Sequence, residues 1–240
     1  NRVLCIAHLL RLGYDDGALR EHALARLGTI HRVAAAGRFD IFLAEDPTDL
    51  PRAYRGRHRV VDPWFTPGGS CALPYVHDLH MLAAFPEEWR TPRVVEMVDM
   101  VVRYVLTEEY QALPPRFGYV RDDSRSPPRY YVLGWNAALP GYREPLERSS
   151  QEHFVLSIEM MAAFPEARNH WWFLDSLARL DEHRTDHGTW LLPRTWLPEK
   201  PVAYWVSGGH MGLEQNRRPR ATIERESTLR VLRLLERSRQ

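Results

Sequence analysis

Residues 71 to 80 read Cys-Ala-Leu-Pro-Tyr-Val-His-Asp-Leu-His, so one thiol, two imidazoles and a carboxylate fall within ten positions. Three chemistries could use them. A thiolate nucleophile needs an adjacent imidazole, which Cys71 and His77 could supply. Acid–base chemistry would draw on Asp78 and His77, with Glu152 as a carboxylate from elsewhere in the chain. His77 and His80 stand three apart and could share a helix face as zinc ligands, with further donors from His153, Glu152 or Glu226, because zinc takes four N, S or O donors. The plainer expectation is that His77 and Asp78 brace a helix start and that Cys71 is a small buried residue.

Other groupings offer weaker chemistry. His183 and His187 are four apart beside a helix end, where the dipole alone favours histidine. Ser207 to Glu214 is the most glycine-rich stretch and could bring backbone amides and His210 to a ligand, yet it has neither the spacing nor the lysine of a phosphate loop. Arg217, Arg218, Arg220 and Arg225 could grip an anion with planar forks, although a charge run before a helix is usually solvated.

The elements that must position these residues show as a repeat. Leu79 to Glu87 reads LHMLAAFPE and Ile158 to Glu166 reads IEMMAAFPE, 79 positions later; Ile6 to Tyr14, IAHLLRLGY, is an earlier copy. Each copy ends at a helix stop and is followed by a second helix, expected over Gly17 to Ala36, Pro92 to Gln111 and about Asn169 to Asp186. In the middle one, Val94, Met97, Val98, Val101 and Val105 recur at helical spacing, which predicts burial on most of its circumference. Thr91 before Pro92 predicts an N-cap. A fourth first-helix is expected over Ile223 to Arg237. The connecting stretches 37–69, 113–149 and 188–220 are long and aromatic-rich, and are expected to be ordered loops packed over the helix ends.

Two-helix repeats whose second helix ends in a glycine and an aromatic resemble those of the squalene cyclases and protein prenyltransferase beta subunits. Gly188-Thr189-Trp190 matches the cyclase Gly-x-Trp, Gly37-Arg38-Phe39 is a looser copy and Phe117-Gly118-Tyr119 looser still. The resemblance implies an all-α toroid, partial or complete, as a single domain over 1–240, with a central cavity at the inner-helix starts. Ligand-binding positions would then be Cys71, His80, His153, His210, Arg225 and Glu226, with Trp135 and Trp205 among the aromatics lining a greasy cavity. The departures are plain: the Asp-x-Asp-Asp acid of the cyclases is missing, and Gly69 stands where the prenyltransferase zinc motif needs Asp two residues before Cys71.

Composition narrows the partners. The formal charge is +1, which leaves no global field to gather nucleic acid or an anionic membrane. No apolar run approaches the roughly 18 residues of a membrane span. Two cysteines are too few for a disulfide framework, which points to a reducing, cytoplasmic setting. A start without Met that runs straight into a helical pattern predicts that the chain is the carboxy-terminal part of something longer. The leading functional expectation is a protein that binds or transforms a small, partly apolar or lipid-like ligand. The alternatives are a carbohydrate-active barrel using carboxylates such as Asp62, Asp78, Glu152 and Glu226, or a non-catalytic helical-repeat module that binds a partner protein.

Overall fold

The computed structural model describes residues 2–134, 136–197 and 219–238. The chain divides into two compact units, Asn1–Ala138 and Leu139–Gln240. In the first, α1 (Arg2–Arg11) packs along α3 (Val76–Leu82), and α2 (Gly17–Ala36) along α4 (Pro92–Val105). Corresponding helices of successive repeat copies therefore lie side by side. Asp16 caps α2 by accepting from the Leu19 amide at 2.9 Å, and Gly37 stops it in the left-handed region with φ 59°. The predicted cap on α4 is present too: Thr91 Oγ1 accepts from the Val94 amide at 3.4 Å.

The repeat copies place like positions in the core. Leu79 and Ile158, Leu82 and Met161, and Phe85 and Phe164 are all buried, and each such side chain taken from water contributes roughly 1.5–3 kcal/mol. The second helices depart from expectation. Leu106 caps α4 at Val105, and Thr107 then starts the short α5 (Glu108–Gln111) by accepting from the Tyr110 amide at 3.2 Å. The amino-terminal half of α4 is also less covered than its apolar periodicity predicts: Val95 is exposed and full burial begins at Val101.

The main correction concerns fold class. The protein is not all-α, and the toroid expectation falls with it, because part of the second long stretch forms a hairpin. Strands β1 (Gly118–Asp122) and β2 (Arg129–Leu133) pair antiparallel, Gly118 opposite Leu133 and Asp122 opposite Arg129. Tyr119 and Val120 in β1 and Tyr130, Tyr131 and Val132 in β2 are aromatic or β-branched and flank a turn rich in Asp, Ser and Pro, a strand pattern that outweighs the helical-repeat reading of Gly118 as a helix-ending glycine. The stretch 41–62 adds to this sheet. Phe42 bridges Val61 antiparallel, and Val60 bridges Tyr119 in parallel. The Tyr119 amide donates to the Arg59 carbonyl at 2.9 Å, and the Val61 amide to the Tyr119 carbonyl at 2.8 Å. Gly118 permits this approach: a Cβ there would stand 2.6 Å from the Arg59 carbonyl oxygen. Leu50, Val60, Tyr119 and Tyr130 form a small core under the sheet, with Leu43 and Tyr54 against it.

Tyr110 ties α5 to two distant loops. Its phenol donates to the Pro74 carbonyl at 2.8 Å and accepts from the Ala137 amide at 2.9 Å.

In the second unit, α6 (Phe154–Met161), the short α7 (Pro165–Arg168) and α8 (Trp171–Asp181) follow the third repeat copy, and α9 (Arg220–Ser238) provides the expected fourth first-helix. The Trp172 indole donates to the Pro140 carbonyl at 2.9 Å, and Phe154 and His183 both meet the Trp196 ring edge-on. Among the described residues no helix is long and apolar enough to cross a membrane.

Candidate functional site

The richest predicted cluster, 71–80, sits at the start of α3. Its carboxylate is spoken for. Asp78 is fully buried, and Arg26, from the middle of α2, holds it in a two-point fork: Nε to Oδ1 at 2.7 Å and Nη2 to Oδ2 at 2.6 Å. The same guanidinium donates to the carbonyls of Cys71 and Leu73 and lies 4.9 Å over the Tyr75 ring. The Tyr75 amide donates to Asp78 Oδ2 at 3.1 Å, closing the helix start. Burial works to lower the Arg26 pKa, but attraction to Asp78 overcomes it and the net shift is upward. One planar fork thus fastens α2 to the loop that leads into α3, the role that arginine geometry suits best.

The other members of the cluster are also engaged. The Cys71 thiol donates to the Leu73 carbonyl at 3.6 Å, and burial pushes its pKa up to about 12, so at neutral pH it keeps its proton and lacks the thiolate that a nucleophile needs. His77 packs edge-on against Tyr75. Arg11 Nη2 lies 3.1 Å from His80 Nδ1. A guanidinium can only donate, so Nδ1 accepts and the proton of the neutral ring sits on Nε2. Burial first, and then the charge of Arg11, lower the His80 pKa to about 3.

In the second unit, Glu152 is exposed on a single turn, Gln151–His153, ahead of α6, while His153 is partly covered and burial lowers its pKa. Arg225 is exposed, with Nη2 3.4 Å from Thr222 Oγ1. Glu226 is buried and accepts from Arg230 Nε at 3.3 Å. Arg230 Nη1 reaches both oxygens of Glu159, at 2.8 and 2.9 Å. Burial raises the Glu159 pKa, and the nearby arginines only partly offset this. Two carboxylates therefore share one largely buried guanidinium.

The Gly188-Thr189-Trp190 stretch is sewn to α9: the Trp190 amide donates to Thr228 Oγ1 at 3.0 Å, the Leu192 amide to Ser227 Oγ at 3.1 Å, and Thr189 Oγ1 to Glu224. Trp190 is buried, and among the described residues its Nε1–H meets no acceptor.

The predicted residues fall in both units. Asp62, Cys71, His77, Asp78 and His80 belong to the first unit, Glu152, His153, Arg225 and Glu226 to the second. Asp62 caps a turn through the Trp64 amide at 2.8 Å and pairs with Arg38 at 3.3 Å. The helical pairing of His183 with His187 is corrected, because α8 ends at Asp181 and both histidines follow it in non-helical backbone. Trp135, Trp205, His210, Arg217 and Arg218 lie outside the described residues. Among the described residues no group of three or more His, Cys, Asp or Glu side chains is placed to hold a metal ion, and His80, whose Nδ1 faces a guanidinium, is a poor zinc ligand on that side. Sequence reasoning passed over Arg11, Arg26, Glu159 and Arg230. One signal was present: ahead of the closing Pro-Glu, His80 and Glu159 are the polar members of two repeat copies that are otherwise apolar up to Phe85 and Phe164.

The sheet presents a different kind of group. Tyr119 turns its main-chain N–H and C=O toward 59–61, so Tyr119 and Val132 form a non-hydrogen-bonded pair, and by alternation so do Arg121 and Tyr130. The main-chain groups of Tyr130 and Val132 therefore point away from β1. Among the described residues no strand pairs with that side of β2. Tyr131 and Val132 are 40 % and 42 % exposed there.

No family model matches the chain, and no curated protein or solved structure matches it.

Proposed function

We propose that the protein is a non-catalytic interaction module that takes an extended segment of a partner along the free edge of β2. The observation that carries this reading is the set of four outward main-chain groups on Tyr130 and Val132, two donors and two acceptors. An added strand satisfies such groups, and alternate side chains then supply selectivity. The engagement of Asp78 with Arg26 and the protonated state of Cys71 support the same reading, since both residues do structural work. A cytoplasmic setting belongs to it, supported by two free cysteines.

The test replaces Val132 by proline, which removes one outward donor and is tolerated at an edge. Backbone amide shifts of Tyr130 and Val132 on titrating extended peptides are expected in the natural chain, and the Tyr130 shift is expected to be lost in Val132→Pro, which has no amide at 132. Peptide binding that leaves those amides unmoved would sink the proposal.

A second reading follows the cyclase and prenyltransferase resemblance: a small, partly apolar ligand bound in the second unit. The buried Nε1–H of Trp190, unpartnered among the described residues, favours it, because a ligand oxygen would complete that donor. Native mass spectrometry should then show a co-purified mass that is lost in Trp190→Phe; an unliganded mass in the natural protein counts against it.

A further inference from the structure

Resting on the reading of β2 as a docking edge, we infer that its occupant is an antiparallel segment of a partner protein with an acidic residue opposite Arg129 and a β-branched residue opposite Val132. Charge complementarity selects the first feature. Arg129 is the charged side chain of β2, it is exposed, and the strand holds no carboxylate. Asp122, across the ladder, already accepts from the Ser124 amide at 3.0 Å and Ser124 Oγ at 2.6 Å, and it lies in the field of both Arg125 and Arg129. The other carboxylates at this end, Asp49 and Asp123, are held by Arg121, and among the described residues Arg129 makes no ion pair within 4 Å, so its charge is open to an anion on the added strand.

Alternation places the acid. Tyr130 and Val132 fall at hydrogen-bonded sites of the added ladder, so Arg129 and Tyr131 fall at non-hydrogen-bonded sites, where facing Cα atoms approach to about 4.5 Å and side chains meet most closely. A carboxylate opposite Arg129 takes the close position. The half-exposed Val132 gains most from a β-branched neighbour on its own face. Antiparallel addition is the more stable of the two directions. A second copy of the chain fits less well: in the self-pairing centred on Tyr131, Arg129 meets Leu133 and stays without an anion.

The experiment titrates the full chain with two capped peptides, Thr-Val-Tyr-Thr-Glu and Thr-Val-Tyr-Thr-Lys, and with the reversed sequence Glu-Thr-Tyr-Val-Thr. The glutamate peptide is expected to bind about two- to fivefold more tightly than the lysine peptide, with the order inverted in Arg129→Glu. Equal affinities that Val132→Pro still abolishes would overturn the acidic preference while leaving edge docking intact. Tighter binding of the reversed peptide would overturn the antiparallel assignment. Self-association in sedimentation that disappears in Val132→Pro would assign the edge to a second copy instead. The absence of shifts at Tyr130 and Val132 with every peptide would remove both this inference and the docking reading beneath it. Because Val132→Pro could disturb the hairpin, Arg129→Glu, which leaves the backbone alone, provides the independent arm.

Discussion

His80 and Glu159 occupy the same place in two copies of one sequence repeat, 79 residues apart, and each meets an arginine from a helix about 70 residues away. The chemistry of the two meetings differs. In the first unit a neutral imidazole accepts one bond from Arg11, which is itself exposed. In the second a carboxylate takes two bonds from Arg230, whose side chain is 10 % exposed and which also serves the buried Glu226. A repeat conserves where a side chain sits; the charge of its partner and the depth of burial decide what it does there.

The largest expected effect separates the two sites by deleting each arginine. Arg230→Met leaves two carboxylates without their shared cation and should cost about 3–5 kcal/mol. Arg11→Met leaves a neutral ring and should cost about 1 kcal/mol. Local stabilities from native-state hydrogen exchange in each unit measure both; equal costs would break the comparison.

The second effect is opposite pH dependence. His80 has a folded pKa near 3 against an ordinary value of 6.5, so between those values the unfolded chain binds the extra proton. Its contribution is fully present above pH 6.5 and is lost as pH falls, by about 1–2 kcal/mol at pH 5. Glu159 is shifted the other way, its folded pKa raised above 4.5. The folded state then binds the extra proton, so acidification into that window strengthens the second unit and raising the pH weakens it. Comparing the natural chain with Glu159→Gln across pH isolates this term, and a parallel response of both units would contradict it.

The smallest effect sharpens the first site alone. His80→Gln keeps an acceptor for Arg11 and cannot ionise, so it should lie within about 1 kcal/mol of the natural chain at pH 7. Its unit should lose the His80 share of the acid sensitivity, read as a flatter stability curve between pH 7 and 5.

What the sequence made legible was local. Thr91, ahead of Pro92, and Gly37 mark helix ends through bonds to neighbours a few residues away, and the repeat copies mark the core through their spacing. The tie between Arg26 and Asp78 spans 52 residues, and nothing in the mid-helix pattern of α2 distinguishes Arg26 from a solvated arginine. The hairpin was legible in principle. Its aromatic and β-branched residues fall in a stretch that the helical repeat reads as a loop, and the outward edge of β2 follows only from the turn of the Tyr119 main chain toward 59–61.

The unpaired side of β2 has a cost as well as a use. Four main-chain groups that meet no strand among the described residues can template an extended chain, including an unfolded copy of this protein, which is how ordered aggregates begin. Several features of the hairpin hold this in check: β2 is only five residues long, Pro127 and Pro128 deny an incoming strand further amide donors ahead of it, and Arg129 places a charge at its first residue. The edge is thereby long enough to recognise a short segment and too short, too charged and too proline-bounded to propagate a fibre easily.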